Sequence, residues 1–317
     1  MSVETQTTAN PNPFASRNPA LDRRRKIADK SSVVLVVAAF AFAIIPLVSL
    51  LWIVVENGWD RLSPYFLTVS MNGVYGGMDA GGIYHAIIGT LLVTGWATLI
   101  SVPIGLATAI YLVEYAGNSK LARATTFFVD VMTGIPSIVA GLFAAALFGL
   151  LVSPAYRAGI MGAVALSVLM IPTVVRSSEE MLRLVPNELR EASYALGVPK
   201  WLTIAKVVLR TSAAGLTTAV MLAIARVVGE TAPLLMTVGV IDSINYNVFE
   251  GRLMTLPVYV YRQYSQGLAP CGALENCVET INYDRAWAAA LVLILLVMLF
   301  NLIARIVAYY FAPKGRS

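Results

Sequence analysis

The most costly residues to place in this chain are Arg226 and Glu230, set in the apolar stretch Ala225-Arg226-Val227-Val228-Gly229-Glu230-Thr231-Ala232-Pro233. A charge near the middle of a bilayer costs roughly 2.5–3.5 kcal/mol on insertion scales, so residues kept there face a bundle interior or an aqueous cavity. Spaced four apart, the two would share one helix face and could pair, which lowers that cost without removing it. Pro233 cannot donate to the helix ladder, so a break near it frees backbone groups for water or solute. Two readings are open. One is a structural ion pair that fixes helix packing. The other is an arginine on the path of an anionic solute, held by Glu230 while the path is empty. Arginine suits an oxyanion because its planar fork makes two parallel charge-assisted bonds and stays protonated.

Other chemistry is scarce. The chain has one histidine, His85, and two cysteines, Cys271 and Cys277, which argues against clustered metal ligands and for no bound metal. It has no G-x-x-x-x-G-K-[ST] loop, so any ATP that drives a process here is used by another subunit. No nucleophile–base set is visible, and no cofactor is expected on this chain. His85 reads as an interfacial polar residue, and Asp130 as a cap or a partner for a basic residue. Gly134-Ile135-Pro136-Ser137-Ile138-Val139-Ala140-Gly141 is a second irregular stretch. Pro136 should disturb its helix while the glycines admit close neighbours.

The elements that hold these residues are membrane spans. Of 317 residues, 58% are hydrophobic and 13% charged, against about a quarter charged in soluble domains. Long uncharged runs alternate with short charged ones, and a span needs about 20 apolar residues. Spans are expected at about 32–55, 83–113, 125–152, 158–175, 213–240 and 286–311, within a transmembrane domain of 31–312. Residues 1–30, with Pro11, Pro13 and Pro19, read as a disordered cytoplasmic tail, and 313–317 as a cytoplasmic C-terminal tail. Arg23-Arg24-Arg25-Lys26 precedes Val33–Val55, which is too long for a signal-peptide core, so a retained first span is expected.

Lysines and arginines settle the expected orientation. Seventeen fall in the N-terminal tail, 114–124, 176–210 and the C-terminal end; only five (Arg61, Arg157, Arg252, Arg262, Arg285) fall in the alternate segments. Basic loops stay in the cytoplasm, so both termini are expected there, in a multi-pass protein of the cell membrane. The same bias accounts for the net charge of +5 without a nucleic-acid partner. The glycine-rich segment 56–82 and the long segment 241–285 become outer loops. Thiols outside the membrane tend to oxidise, so a local Cys271–Cys277 disulfide that pins a loop tip is expected over two free thiols.

Segment 176–210 is too organised for a connector. Pro186 breaks one helical run, Asn187 can cap a second over Glu188–Leu196, and Gly197 and Pro199 end it. Leu189, Ala192, Ala195 and Leu196 form a helical stripe. An exposed amphipathic helix needs a groove in the chain, a membrane surface or a partner.

ABC-importer permeases carry a loop motif E-A-A-x3-G-x9-I-x-L-P whose helix docks on the ATPase subunit. Here Glu191-Ala192-Ser193 is followed by Gly197 at the matching spacing, and by Val207, Val208 and Leu209. Ser193, Val207 and Arg210 depart from the pattern, which weakens its end but leaves the helix and glycine turn. With Gly134–Gly141, Ala225–Pro233 and Met254-Thr255-Leu256-Pro257-Val258, the chain resembles the phosphate-importer permeases over residues 25–312. The A-type subunit is the nearer of two related types.

That resemblance implies an all-α integral membrane protein of six transmembrane helices with type I ABC-importer permease architecture and a coupling helix at about 187–197. It implies a paired C-type permease, two copies of an ABC ATPase that use ATP and Mg, an extracytoplasmic phosphate-binding protein, and surrounding lipid. It links Arg226 and Arg176 to transport, with Glu230 beside them, and assigns ATPase coupling to Glu191, Ala192 and Gly197. The expected function is phosphate passage by alternating access. The rivals are a permease for sulfate or molybdate, and a non-conducting scaffold or sensor.

Overall fold

The computed structural model describes residues 19–271 and 277–311. Twelve α-helices run through the described residues. They are α1 (Pro19–Trp59), α2 (Pro64–Thr68), α3 (Tyr84–Ile110), α4 (Lys120–Thr133), α5 (Ser137–Leu151), α6 (Gly159–Arg183), α7 (Asn187–Ala195), α8 (Lys200–Thr203), α9 (Leu209–Val228), α10 (Ala232–Thr237), α11 (Leu256–Gln266) and α12 (Ile281–Phe311). Two π-helical turns, Tyr111–Tyr115 and Ile204–Val208, extend α3 and precede α9. The expected tails fall in part outside the described residues; 19–30, expected as tail, form the start of α1.

The chain divides into two units, residues 1–53 and 54–317. In the first, α1 exposes Val34, Leu35, Phe42 and Trp52, a surface suited to lipid rather than water. The second unit holds the other helices and the core.

By length and composition, five helices can cross a membrane, and six spans result if the bent pair α4–α5 counts as one. That pair corrects the expected third span. Instead of one kinked helix, α4 stops at Gly134 and α5 starts after Pro136, with a bend of 107°. Ile135 precedes proline, and the proline ring disfavours helical backbone in the residue before it. The expected fifth span is likewise divided. α9 ends at Val228, Gly229 caps it, and α10 begins at Ala232 with Pro233 in its first turn.

α6 is the centre of the second unit. Gly159, Gly162, Ala163, Ala165 and Ser167 are buried along it, and small residues let helix backbones approach in a bilayer. Ser167 donates to Ala163 O on its own helix, at 2.7 Å. Where α3 crosses α6, a Cβ on Gly105 would stand 2.6 Å from Val174 Cγ1, so the glycine is needed for the approach.

Segment 241–285 is not simply an outer loop. Met254, Thr255, Leu256, Val258 and Tyr259 are all buried. Thr90 on α3 accepts from Leu256 N at 2.8 Å and donates to Ala86 O at 2.9 Å. A Cβ on Gly89 would lie 1.9 Å from Met254 O, so only glycine fits there. Leu253 N donates to Val238 O, and Ile160 N to Val248 O. Irregular backbone within a membrane protein is tolerated where protein satisfies it, and these bonds do so. His85, expected at an interface, is also buried, edge-on to Tyr259 at 5.7 Å.

Candidate functional site

The two irregular stretches singled out in the sequence meet. A Cβ on Gly141 of α5 would fall 2.7 Å from Pro233 Cα and 3.0 Å from Pro233 O. The break after Pro136 thus carries α5 onto the break before α10, and both interruptions share one packing contact.

The expected Arg226–Glu230 pair does not form among the described residues. The physical reason is the early end of α9: Arg226 is in its last turn, whereas Glu230 lies beyond the cap, with its N–H on Val227 O. The i, i+4 relation holds only while the helix continues. Arg226 is exposed and donates to Thr173 Oγ1 at 3.4 Å. Among the described residues its charge has no carboxylate within ion-pair distance.

Thr173 stands three residues before Arg176 on α6, so both face the same way one turn apart. The structure therefore brings Arg226 beside the helix face that carries Arg176 and leaves Glu230 apart. Arg176 itself is engaged. It pairs with Asp130 of α4 and with Glu179 of α6 at 3.0 Å, and Glu179 also takes Arg183 at 2.5 Å. Glu179 is buried, and two arginines compensate its charge. Asp130 is a partner for a basic residue, one of the two roles open to it, and the restraining carboxylates belong to Arg176 rather than Arg226.

At the far end of α3, α7 is held by a residue that sequence reasoning passed over. Arg190 donates through Nε and Nη2 to Glu114 Oε1 at 3.0 and 2.7 Å. It also donates to Leu182 O at 3.1 Å, Val185 O at 2.6 Å and Asn187 Oδ1 at 3.2 Å. The Arg190 side chain is 12% exposed and that of Glu114 5%. Their bonds join α7 to the end of α3 and the end of α6. Ser193, a departure from the permease motif, bonds Thr203 Oγ1 at 2.8 Å, which ties α7 to α8. Lys200 lies over the Tyr115 ring at 4.8 Å.

Gly197 ends α7 with φ +73° and its N–H on Tyr194 O, while Val198 N donates to Ser193 O. This double closure requires a left-handed residue, which glycine supplies without strain. Glu191 and Ala192 are exposed, as are Leu189, Leu196 and Trp201. The apolar stripe is thus uncovered by the rest of the chain, and its arrangement suits contact with another body.

At the opposite end, Cys271 and Cys277 form a disulfide with Cα atoms 5.5 Å apart. Val278 N donates to Gly77 O at 2.9 Å, and Met78 and Cys277 form a β-bridge, so the disulfide segment is tied to loop 77–78. Nearby, burial raises the Tyr259 hydroxyl above the ordinary phenol range, so it stays neutral.

Among the described residues no group of three or more histidines, cysteines or carboxylates could hold a metal. The chemistry available at the broken helix is charge: the Arg226 guanidinium, with a hydroxyl partner, beside the helix face that carries the paired Arg176.

A family model described as "Binding-protein-dependent transport system inner membrane component" matches residues 101–317. The chain is 44% identical to the phosphate transport system permease protein PstA 1 of Mycobacterium tuberculosis, over 93% of this chain and 92% of that one. It is 36% identical to the phosphate transport system permease protein PstA of Yersinia pestis, over 92% of each. Its fold is similar to a chain of the MetNI methionine ABC transporter in an inward-facing conformation. The TM-score is 0.54 at 20% identity, over 73% of this chain and 95% of that one.

Proposed function

Because the chain belongs to the binding-protein-dependent transport system inner membrane components, and to their PstA phosphate permeases, we propose how its residues serve phosphate passage. It is a multi-pass membrane permease subunit of an ABC importer, and ATP hydrolysis resides in a separate subunit. The observation that carries the residue-level reading is Arg226, an exposed guanidinium with a hydroxyl partner and, among the described residues, no carboxylate, beside a break in the helix ladder. A buried or lipid-facing arginine of purely structural purpose is paired. One left open can take a passing oxyanion through two charge-assisted bonds.

In this account phosphate released by an extracytoplasmic binding protein enters between this chain and a paired C-type permease. It meets Arg226 briefly, since a site that holds its ion too firmly cannot release it. Arg176, held by Asp130 and Glu179, lies one turn nearer the α7 end. The Asp130–Arg176 bond joins α4 to α6, so a shift of α4 would free that guanidinium for the departing ion. The exposed stripe of α7, with Glu191, Ala192 and Gly197, takes the thrust of two ABC ATPases that use ATP and Mg. Arg190 passes it to α3 and α6. Both termini lie in the cytoplasm, and the protein resides in the cytoplasmic membrane.

ATP-driven uptake of radiolabelled phosphate by the assembled transporter in proteoliposomes tests this reading. Uptake should require ATP and the binding protein and should resist excess sulfate. Absence of uptake would leave a non-conducting scaffold, and equal competition by sulfate or molybdate would make this a general oxyanion permease.

A further inference from the structure

A cavity of about 370 Å³ lies at the end of α3 away from α7, lined among others by Asp242, Arg262, Gln263, Gln266, Asn282 and Arg285. No part of the pathway argued above uses it. Three features make it a built site rather than a gap in packing.

Arg285 is 1% exposed, yet it has no ion-pair partner among the described residues. Its Nη2 donates to Met78 O and Ala80 O at 2.7 and 2.8 Å, and its Nη1 reaches Asn282 Oδ1 at 3.5 Å. Asp79, which lies between those two carbonyls in sequence, is taken by Arg61. A buried charge held by carbonyl dipoles, with the Asp79 and Asp284 carboxylates acting on it only from outside ion-pair distance, is expensive. Among the described residues Arg285 Nε also has no hydrogen-bond partner, nor does Gln263 Oε1, on a residue that is 2% exposed. One orphan is a donor and the other an acceptor, and both residues line the same space. Finally, the charges are unequal: Arg262 is paired with Asp242 at 2.7 Å, which leaves Arg285 in excess.

An occupant that completes this set must be an anion, to answer Arg285. It must also bring a hydrogen-bond donor, to satisfy Gln263 Oε1 and tolerate the Asp242 carboxylate. Water could fill the two orphan bonds but not the missing charge. Sulfate brings charge but no proton to donate at neutral pH. Hydrogen phosphate brings both, with oxygens for the guanidinium and a P–OH for the amide oxygen.

We infer that this cavity is a binding site for a protonated tetrahedral oxyanion, with Arg285 as its charge partner and Gln263, beside the acceptor-only Asp242 carboxylate, as the acceptor for its proton. The choice of phosphate as its ligand rests on the permease reading above. Bonds of the residues on either side of the disulfide close the neighbourhood: Ala269 N donates to Glu279 O, Asn282 Nδ2 donates to Gly267 O, and Val278 N donates to Gly77 O. These bonds hold α11, α12 and loop 71–80 around the space. A site selective for the proton would let this chain refuse sulfate before Arg226, which cannot tell the two ions apart.

The test is equilibrium binding of radiolabelled phosphate to the full chain in lipid nanodiscs, in an Arg226→Gln background so that Arg226 does not contribute. Saturable binding is expected, displaced by arsenate, which keeps a proton, and not by tenfold excess sulfate. Gln263→Leu should weaken phosphate about tenfold or more, the loss of one hydrogen bond to a charged ligand, and should erase the preference over sulfate. Arg285→Lys should weaken all anions; if that variant misfolds on gel filtration, Gln263→Leu still decides the matter. Three results overturn the inference: no saturable phosphate binding, equal displacement by sulfate, or affinity unchanged in Gln263→Leu. Failure of the permease reading would appear elsewhere, as absent ATP-driven uptake by the wild-type transporter.

Discussion

Arg190 and Arg226 are the same residue type in two opposite situations. Arg190 is committed to the chain, with a buried carboxylate and four other acceptors around its guanidinium. Arg226 is exposed and touches one hydroxyl. The first joins three helices and has no bonding capacity left for a ligand. The second contributes little to the fold and leaves most of its donors free. The two arginines therefore differ by their partners, and the difference should appear as opposite effects of mutation on stability and transport.

Arg190→Ala should have the largest effect. It strands Glu114, whose side chain is 5% exposed, and breaking a buried pair costs about 3–5 kcal/mol. Thermal unfolding of the assembled transporter should shift down strongly, and Glu114→Gln in the same chain should restore part of the loss. An unchanged melting temperature would mean that Arg190 is not the anchor of α7.

Gly141→Leu tests the packing that positions the open arginine. Its Cβ would meet Pro233 backbone at 2.7 Å, and overpacking costs about 1–3 kcal/mol. Uptake should fall along with stability, because the α9–α10 break would be displaced. Gly197→Ala should cost less, about 1–2 kcal/mol for a left-handed backbone. No atom lies within 4 Å of the added methyl, so the cost is conformational, and it should be read as weaker co-purification of the ATPase.

Much of this arrangement could be read from local pattern. The apolar runs and the Gly197 turn follow from hydropathy and backbone rules that act within a few residues; α7 falls one residue earlier than expected at each end, because Pro186 rather than Asn187 stands at its N-cap and no side chain caps it. The bend of 107° at Gly134–Pro136 was visible as a disturbance only, since proline marks a break but its neighbours set the angle. Arg190 was passed over because Glu114 lies 76 residues away, and no periodicity connects them. The Arg226–Glu230 pairing failed for the opposite reason. Spacing of four implies contact only on a continuous helix, and Gly229 ends this one. Burial of Met254–Tyr259 was hidden because a short polar-flanked segment resembles a loop until glycines such as Gly89 make room for it.

The smallest effect on stability should come from Arg226→Gln, and it is the one that decides the account. The assembled transporter carrying it should melt within about 0.5 kcal/mol of the parent, as exposed substitutions do. ATP-driven phosphate uptake by the same preparation should fall about tenfold or more, the loss of a charge-assisted contact. Uptake at the parent rate from a fully assembled Arg226→Gln transporter would contradict the claim that the open arginine lies on the phosphate path.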